Sequence, residues 1–125
     1  MSKYRSKTLT FEGQTFDSQK EFRRWQELRL LERAGKIENL RRQVRFELIP
    51  PQYETVPRYS DKTGKRLKDA QKVVEHGVCY IADFVYRWVD DGATVAEDSK
   101  GVKTEAYIIK RKLMLHIHGI KIFET

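Results

Sequence analysis

An α/β domain with a mixed sheet of about four strands flanked by helices is the fold this sequence predicts. Three observations carry that reading: apolar residues at helical spacing in 17–35, two strand-like runs joined by an Asp-Gly step in 78–101, and a second helical run followed by a short closing strand in 104–125. The order is helix, three strands, helix, strand. The whole chain, 1–125, is expected to form one domain with a single core.

The first helix starts at Asp17-Ser18, carries Phe22, Trp25, Leu28 and Leu31 at spacings of three, and stops at Gly35. "LRRQVRFELIP" then alternates through Val44, Phe46 and Leu48 until Pro50, as a half-buried strand does. Residues 50–76 contain all three prolines, a TGK turn and the cations Lys62, Lys65, Arg66, Lys68 and Lys72. That span is too long for an ordinary connection, and reads as a long basic loop or insertion, or as a continued strand with a short helix around "KRLKDAQKVV". "VCYIADFVYRWV" is rich in β-branched and aromatic residues, and Asp91-Gly92 signals a hairpin into "ATVAEDSKG". "TEAYIIKRKLMLHIHG" reads as a helix ending at Gly119, and "IKIFET" closes the sheet.

The formal net charge is +7, from 25 Lys and Arg against 18 Asp and Glu, which favours a polyanionic partner. One cysteine, Cys79, leaves no internal disulfide, and the first residues have no apolar signal region. A cytoplasmic protein with no membrane partner is therefore expected. There is no phosphate-binding Gly-rich run for a nucleotide, and Cys79 with His76, His116 and His118 gives no zinc spacing.

The end of the second hairpin strand, "VAEDSKG", is where chemistry concentrates. With a two-residue turn at Asp91-Gly92, Asp90 pairs with Ala93, Asp83 falls opposite Lys100, and Asp98 lies on the neighbouring diagonal. Asp83 would then share a face with Cys79, Ile81 and Val85, where a carboxylate needs a partner. Two carboxylates and an ammonium suit a hard divalent ion such as Mg²⁺, which takes one or two carboxylates and keeps sites for water and phosphate oxygens. Lys100 would position the attacking water or neutralise developing charge. The plain alternative is a cross-strand salt bridge at a sheet edge. Glu97 is expected on the opposite face as a solvated acid, and is the reserve ligand.

Asp83 in one strand and Asp98-Ser99-Lys100 in the next resemble the split signature of the PD-(D/E)xK nuclease superfamily. From "FDSQKEFRRWQEL" through "AGKIENLRRQVRFEL" to "YIADFVY" and "AEDSKG", residues 11–124 are similar to its small phage-associated, resolvase-like endonucleases. Ala82 stands where the signature has proline. The resemblance implies a single nuclease-like domain of restriction-endonuclease-like fold and Mg²⁺-dependent cleavage of DNA, with Mn²⁺ as a possible substitute. It further implies activity on branched DNA such as a four-way junction, a homodimer, and a bacterial host cell if the chain is phage-encoded. Glu21 becomes a third acidic ligand by the same resemblance, although Ser18-x-x-Glu21 also fits a capping box. Lys103, Lys110, Arg111 and Lys112 follow the motif on the second helix, where the resemblance implies a side chain near the scissile phosphate; Lys110, about two turns from the helix start, is the choice, and a solvated face is the alternative. Arg23, Arg24, Arg41, Arg42 and Arg45, with Lys65 and Arg66 of the basic span, could neutralise phosphates along a duplex, or could be plain surface charge. The rival functions are a non-catalytic nucleic-acid-binding module and a subunit of a phage recombination or packaging complex.

Overall fold

The computed structural model describes residues 9–11, 13–99 and 102–125. A short hairpin, β1 (Leu9–Phe11) and β2 (Gln14–Phe16), leads into α1 (Gln19–Arg33). Next come β3 (Ile37–Ile49), β4 (Gln52–Tyr59), β5 (Arg66–Glu75), β6 (Val78–Trp88) and β7 (Thr94–Asp98), and β8 (Phe123–Glu124) closes the chain. The main sheet has four strands in the order β3, β6, β7, β8. β3, β6 and β7 are antiparallel, and β8 runs parallel to β7. That last pairing is made possible by α2 (Glu105–Leu113), which continues as a π-helical turn, Met114–His118, and ends at Gly119 in a left-handed conformation (φ 68°). The result is a single α/β domain with a mixed four-stranded sheet, as the sequence predicts. Among the described residues no helix is long and apolar enough to cross a membrane.

Residues 50–76 depart from expectation. Neither loop nor helix, they form β4 and β5, an antiparallel ribbon separate from the main sheet. The prolines obscure this in the sequence: Pro50 and Pro51 sit between β3 and β4, and Pro57 falls at the register shift between Val56 and Arg58.

Two cores lie on opposite faces of the sheet. On one, Phe16, Trp25, Leu28 and Ile37 pack with Phe84 and Tyr86 under α1. On the other, Tyr107, Met114 and Ile122 pack with Tyr80, Ala82, Val85 and Ala96 under α2. Strict alternation would send 80, 82, 84 and 86 to one face. Instead β6 changes face between Ala82 and Phe84. β3 does the same alongside it, since Arg42 stacks on Phe16 while its neighbour-but-one Val44 packs with the α2 core. Between Arg42 and Val44 sits Gln43 with φ 52°, a left-handed conformation that costs a non-glycine residue about 1 to 3 kcal/mol. Asp83 occupies the matching place on β6.

The expected company of Asp83 is corrected accordingly. Ile81 points outward, 47% exposed, and Cys79 is half-buried, while Val85 is in the core. The hairpin turn also differs from expectation. The Trp88 amide donates to the Ala93 carbonyl and the Gly92 amide to the Trp88 carbonyl, each at 2.9 Å, so residues 89–92 form a longer loop than Asp91-Gly92 alone. Phe84 pairs with Glu97 and Val85 with Ala96. Asp83 and Asp98 each lie one residue beyond the Phe84–Glu97 pair, and the expected partner Lys100 lies outside the described residues. A slip of two residues preserves parity, which is why the two aspartates remain neighbours.

Candidate functional site

Asp83 is half-buried at the point where both central strands change face. Its Oδ2 accepts from the Ser99 amide at 2.8 Å, and Gln43 Nε2 stands 3.5 Å from its Oδ1. These contacts are few and light, so the carboxylate stays accessible. Asp98 is buried, 1% exposed, and accepts from the Tyr80 hydroxyl at 2.5 Å. Burial first, and then the bond to Asp98, push the Tyr80 phenol far above its usual range, so it remains a proton donor.

Glu21 faces the site from α1. It is only 3% exposed. Its Oε1 accepts from Arg42 Nη2 at 3.0 Å and Gln43 Nε2 at 3.3 Å. Gln43 is thus a bridge: the same side-chain amide reaches Glu21 and Asp83. The capping geometry is only half of a capping box. Ser18 Oγ accepts the Glu21 amide at 3.2 Å, but Glu21 Oε2 meets the Asp17 amide at 3.4 Å, one residue before the cap. Burial, helped by the nearby Asp83 charge, raises the Glu21 pKa against the lowering pull of Arg42.

Glu97 is corrected outright. Expected to be solvated, it is fully buried, with Oε1 and Oε2 gripped by Arg24 Nε and Nη2 at 2.7 and 2.8 Å and with the Tyr86 hydroxyl donating to it. The charge-assisted fork holds the Arg24 guanidinium firmly protonated. Its direction follows from alternation; its burial does not, because α1 covers that face.

Lys100 lies outside the described residues. Lys110 is half-buried on α2 and lines a cavity of about 300 Å³ with Tyr80, Ile81, Thr104 and Tyr107. Lys103 is exposed and ion-paired to Glu124 at 3.5 Å; burial lifts that carboxyl, but the Tyr107 hydroxyl, Lys103 and Arg111 together hold it below its usual value. Arg42 turns inward rather than to solvent, bonded to Glu21, Gln14 and the Thr15 carbonyl with its guanidinium 3.8 Å above the Phe16 ring. Arg45 is exposed on β3, lining a second cavity of about 370 Å³ with Glu47, His76 and Cys79. Lys65 and Arg66 are exposed on the ribbon, where Arg66 pairs with Asp69 at 2.7 Å. Sequence reasoning misses Gln43, Tyr80 and the Ser99 amide. A positive φ inside a strand and a phenol aimed at a carboxylate leave no pattern in composition or periodicity.

The donors gathered here are hard carboxylate oxygens. Among the described residues no three acidic, histidine or cysteine side chains come together as a group that could hold a metal ion. Magnesium requires fewer: one or two carboxylates plus water. Asp83 and Asp98 supply carboxylates of that kind, and Glu21 is within electrostatic reach of Asp83.

The profile of a family described as Protein of unknown function (DUF1064) matches residues 1–122. No curated protein and no solved structure matches the chain.

Proposed function

The chain belongs to the DUF1064 family, and we propose that this member is a magnesium-dependent endodeoxyribonuclease selective for branched DNA. The observation that supports the reading is that Asp83 and Asp98 lie on adjacent antiparallel strands, each one residue beyond the Phe84–Glu97 pair, with the Ser99 amide donating to Asp83 and the buried Glu21 nearby. Asp83 and Asp98 would hold the ion, and magnesium so held activates water and shields charge on a transferring phosphoryl group. Tyr80 keeps Asp98 oriented by donating to its Oδ2. Gln43 couples Asp83 to Glu21. Lys100, two residues beyond Asp98, would position the attacking water, and Lys110 would meet the phosphate from α2. A two-fold homodimer would present two such sites to opposed strands of a four-way junction.

One observation favours a second reading. Asp98 is 1% exposed and already holds the Tyr80 hydroxyl, which suits a nucleic-acid-binding module in which that acid is structural and nothing is cut. Labelled junction, flap, linear duplex and single-stranded DNA, incubated with the pure protein in Mg²⁺, Mn²⁺ or EDTA, separate the two. Metal-dependent cleavage lost in Asp98→Asn with binding retained supports the nuclease. Binding by the wild type with no cleavage in either metal supports the module.

A further inference from the structure

We propose that the ribbon formed by β4 and β5 is an arm that lays its basic outer half in a groove of duplex DNA, gripping the substrate at a distance from the Asp83–Asp98 site. The proposal rests on DNA being the substrate, and deepens that reading.

The ribbon has no sheet to belong to. Its two strands pair with each other, through Tyr53 with Val73, Glu54 with Lys72, Val56 with Ala70 and Tyr59 with Arg66, and among the described residues no third strand joins them. Of residues 52–75 only Val56, Ser60 and Ala70 are even half-buried. A two-stranded ribbon by itself is at best marginally stable in water. A strand pair so exposed therefore gains most from a surface that covers it.

The root is held firmly. At Gly77 a Cβ would stand 2.9 Å from the Ile49 carbonyl oxygen and 3.1 Å from the Pro51 ring, so the chain leaving β5 passes tightly against the chain entering β4. From that root the eight residues of β4 carry the tip about 26 Å outward, at about 3.3 Å per residue.

Charge says what covers it. The register shift at Pro57 sets Arg66 and Lys68, with Tyr59, on one face, and turns Lys72, with its partner Glu54, to the face of Arg58 and Leu67. Tyr53 and Val73 share the face of Arg66, whose guanidinium is paired with Asp69. Lys62 and Lys65 sit at the tip, around Gly64 with φ 69°. Five of the six cations of the ribbon, Arg58, Lys62, Lys65, Arg66 and Lys68, thus lie in its outer half, against the acids Asp61 and Asp69. Two strands about 4.8 Å apart fit a major groove about 12 Å wide, with phosphate on either wall. The cations would contact those walls and position the duplex without reading its sequence.

The test is the salt dependence of binding to a fluorescent four-way junction in EDTA, with cleavage in Mg²⁺ as the second readout. Lys65→Gln with Lys68→Gln should weaken binding about tenfold and reduce the slope of log affinity against log salt by about 0.9 for each lysine removed. Arg33→Gln with Lys36→Gln, an equal charge change at the exposed end of α1, should leave the slope nearly unchanged. Both variants alter exposed side chains, and circular dichroism and thermal melting would show that they fold. If the ribbon variant matches this control while the wild type still binds and cleaves, the arm proposal is overturned and the nuclease reading stands. The arm is equally overturned if the ribbon variant changes only sedimentation, from dimer to monomer, which would make a second copy the occupant. A wild type that neither binds nor cleaves any of these DNAs overturns both readings.

Discussion

Glu97 and Asp83 lie one register step apart on the same hairpin, yet the fold treats them in opposite ways. Glu97 is fully buried, gripped by Arg24 through both oxygens and by Tyr86. Asp83 keeps partial exposure and is met by the Ser99 amide and, at longer range, by the Gln43 amide. The difference teaches where chemistry can reside. A carboxylate with both oxygens engaged by charged and neutral donors is a structural charge, and one left loosely held at a change of strand face is available for a ligand.

The amide substitution at each acid is the strongest way to break this comparison. Glu97→Gln strips the charge from a buried pair and should cost about 3 kcal/mol, measured by urea denaturation, because the Arg24 guanidinium is left without its counterion. Asp83→Asn should cost less than about 1 kcal/mol. Equal costs would remove the distinction. On the proposed nuclease reading the order reverses in cleavage. Asp83→Asn and Asp98→Asn should each lower the rate with Mg²⁺ by more than about 100-fold, since even outer-shell partners of metals typically matter by about 10- to 100-fold. Folded Glu97→Gln should cut at nearly the wild-type rate, and a comparable loss there would move the ligand to Glu97.

The two phenols sharpen the contrast further. Tyr80→Phe and Tyr86→Phe each delete a donor to a buried carboxylate and should each destabilise by about 1 to 2 kcal/mol. Only Tyr80→Phe should shift the magnesium concentration for half-maximal cleavage, by about tenfold. A shift with Tyr86→Phe instead would point to the α1 face as the metal side.

The smallest effect is a pH dependence at Glu21. Its pKa is raised in the folded state above the ordinary value of 4.5, chiefly by burial. The folded protein therefore holds the proton more tightly than the unfolded chain, and this contribution to stability is complete below pH 4.5 and lost as pH rises through the raised value. Unfolding free energy measured from about pH 4 to 7 should fall more for wild type than for Glu21→Gln. Parallel profiles would show that Arg42 and Gln43 fully offset the burial.

Much of the architecture is legible in the chain. The apolar spacing of Phe22, Trp25, Leu28 and Leu31 marks α1, Gly119 marks the end of the second helix, and the hairpin pattern makes Asp83 and Asp98 neighbours. The ribbon is not legible, because Pro50, Pro51 and Pro57 are strong strand breakers in isolation, and their placement at a crossover and a register shift is visible only in space. The register expected for the second hairpin is off by two residues, since Asp91-Gly92 closes a longer loop from Trp88 to Ala93. The error leaves the neighbours intact only because it is even.

By itself the sequence determined which segments of the main sheet and its helices are extended or helical and that Asp83 and Asp98 sit on adjoining strands, because periodicity and turn residues act locally. Only the tertiary structure decided that Glu97 is buried with Arg24, that Arg42 turns inward to Glu21, and that β3 and β6 exchange faces at Gln43 and Asp83. Each of these depends on what a helix distant in sequence lays over the sheet. Local propensity is blind to such a covering, and burial is set by it.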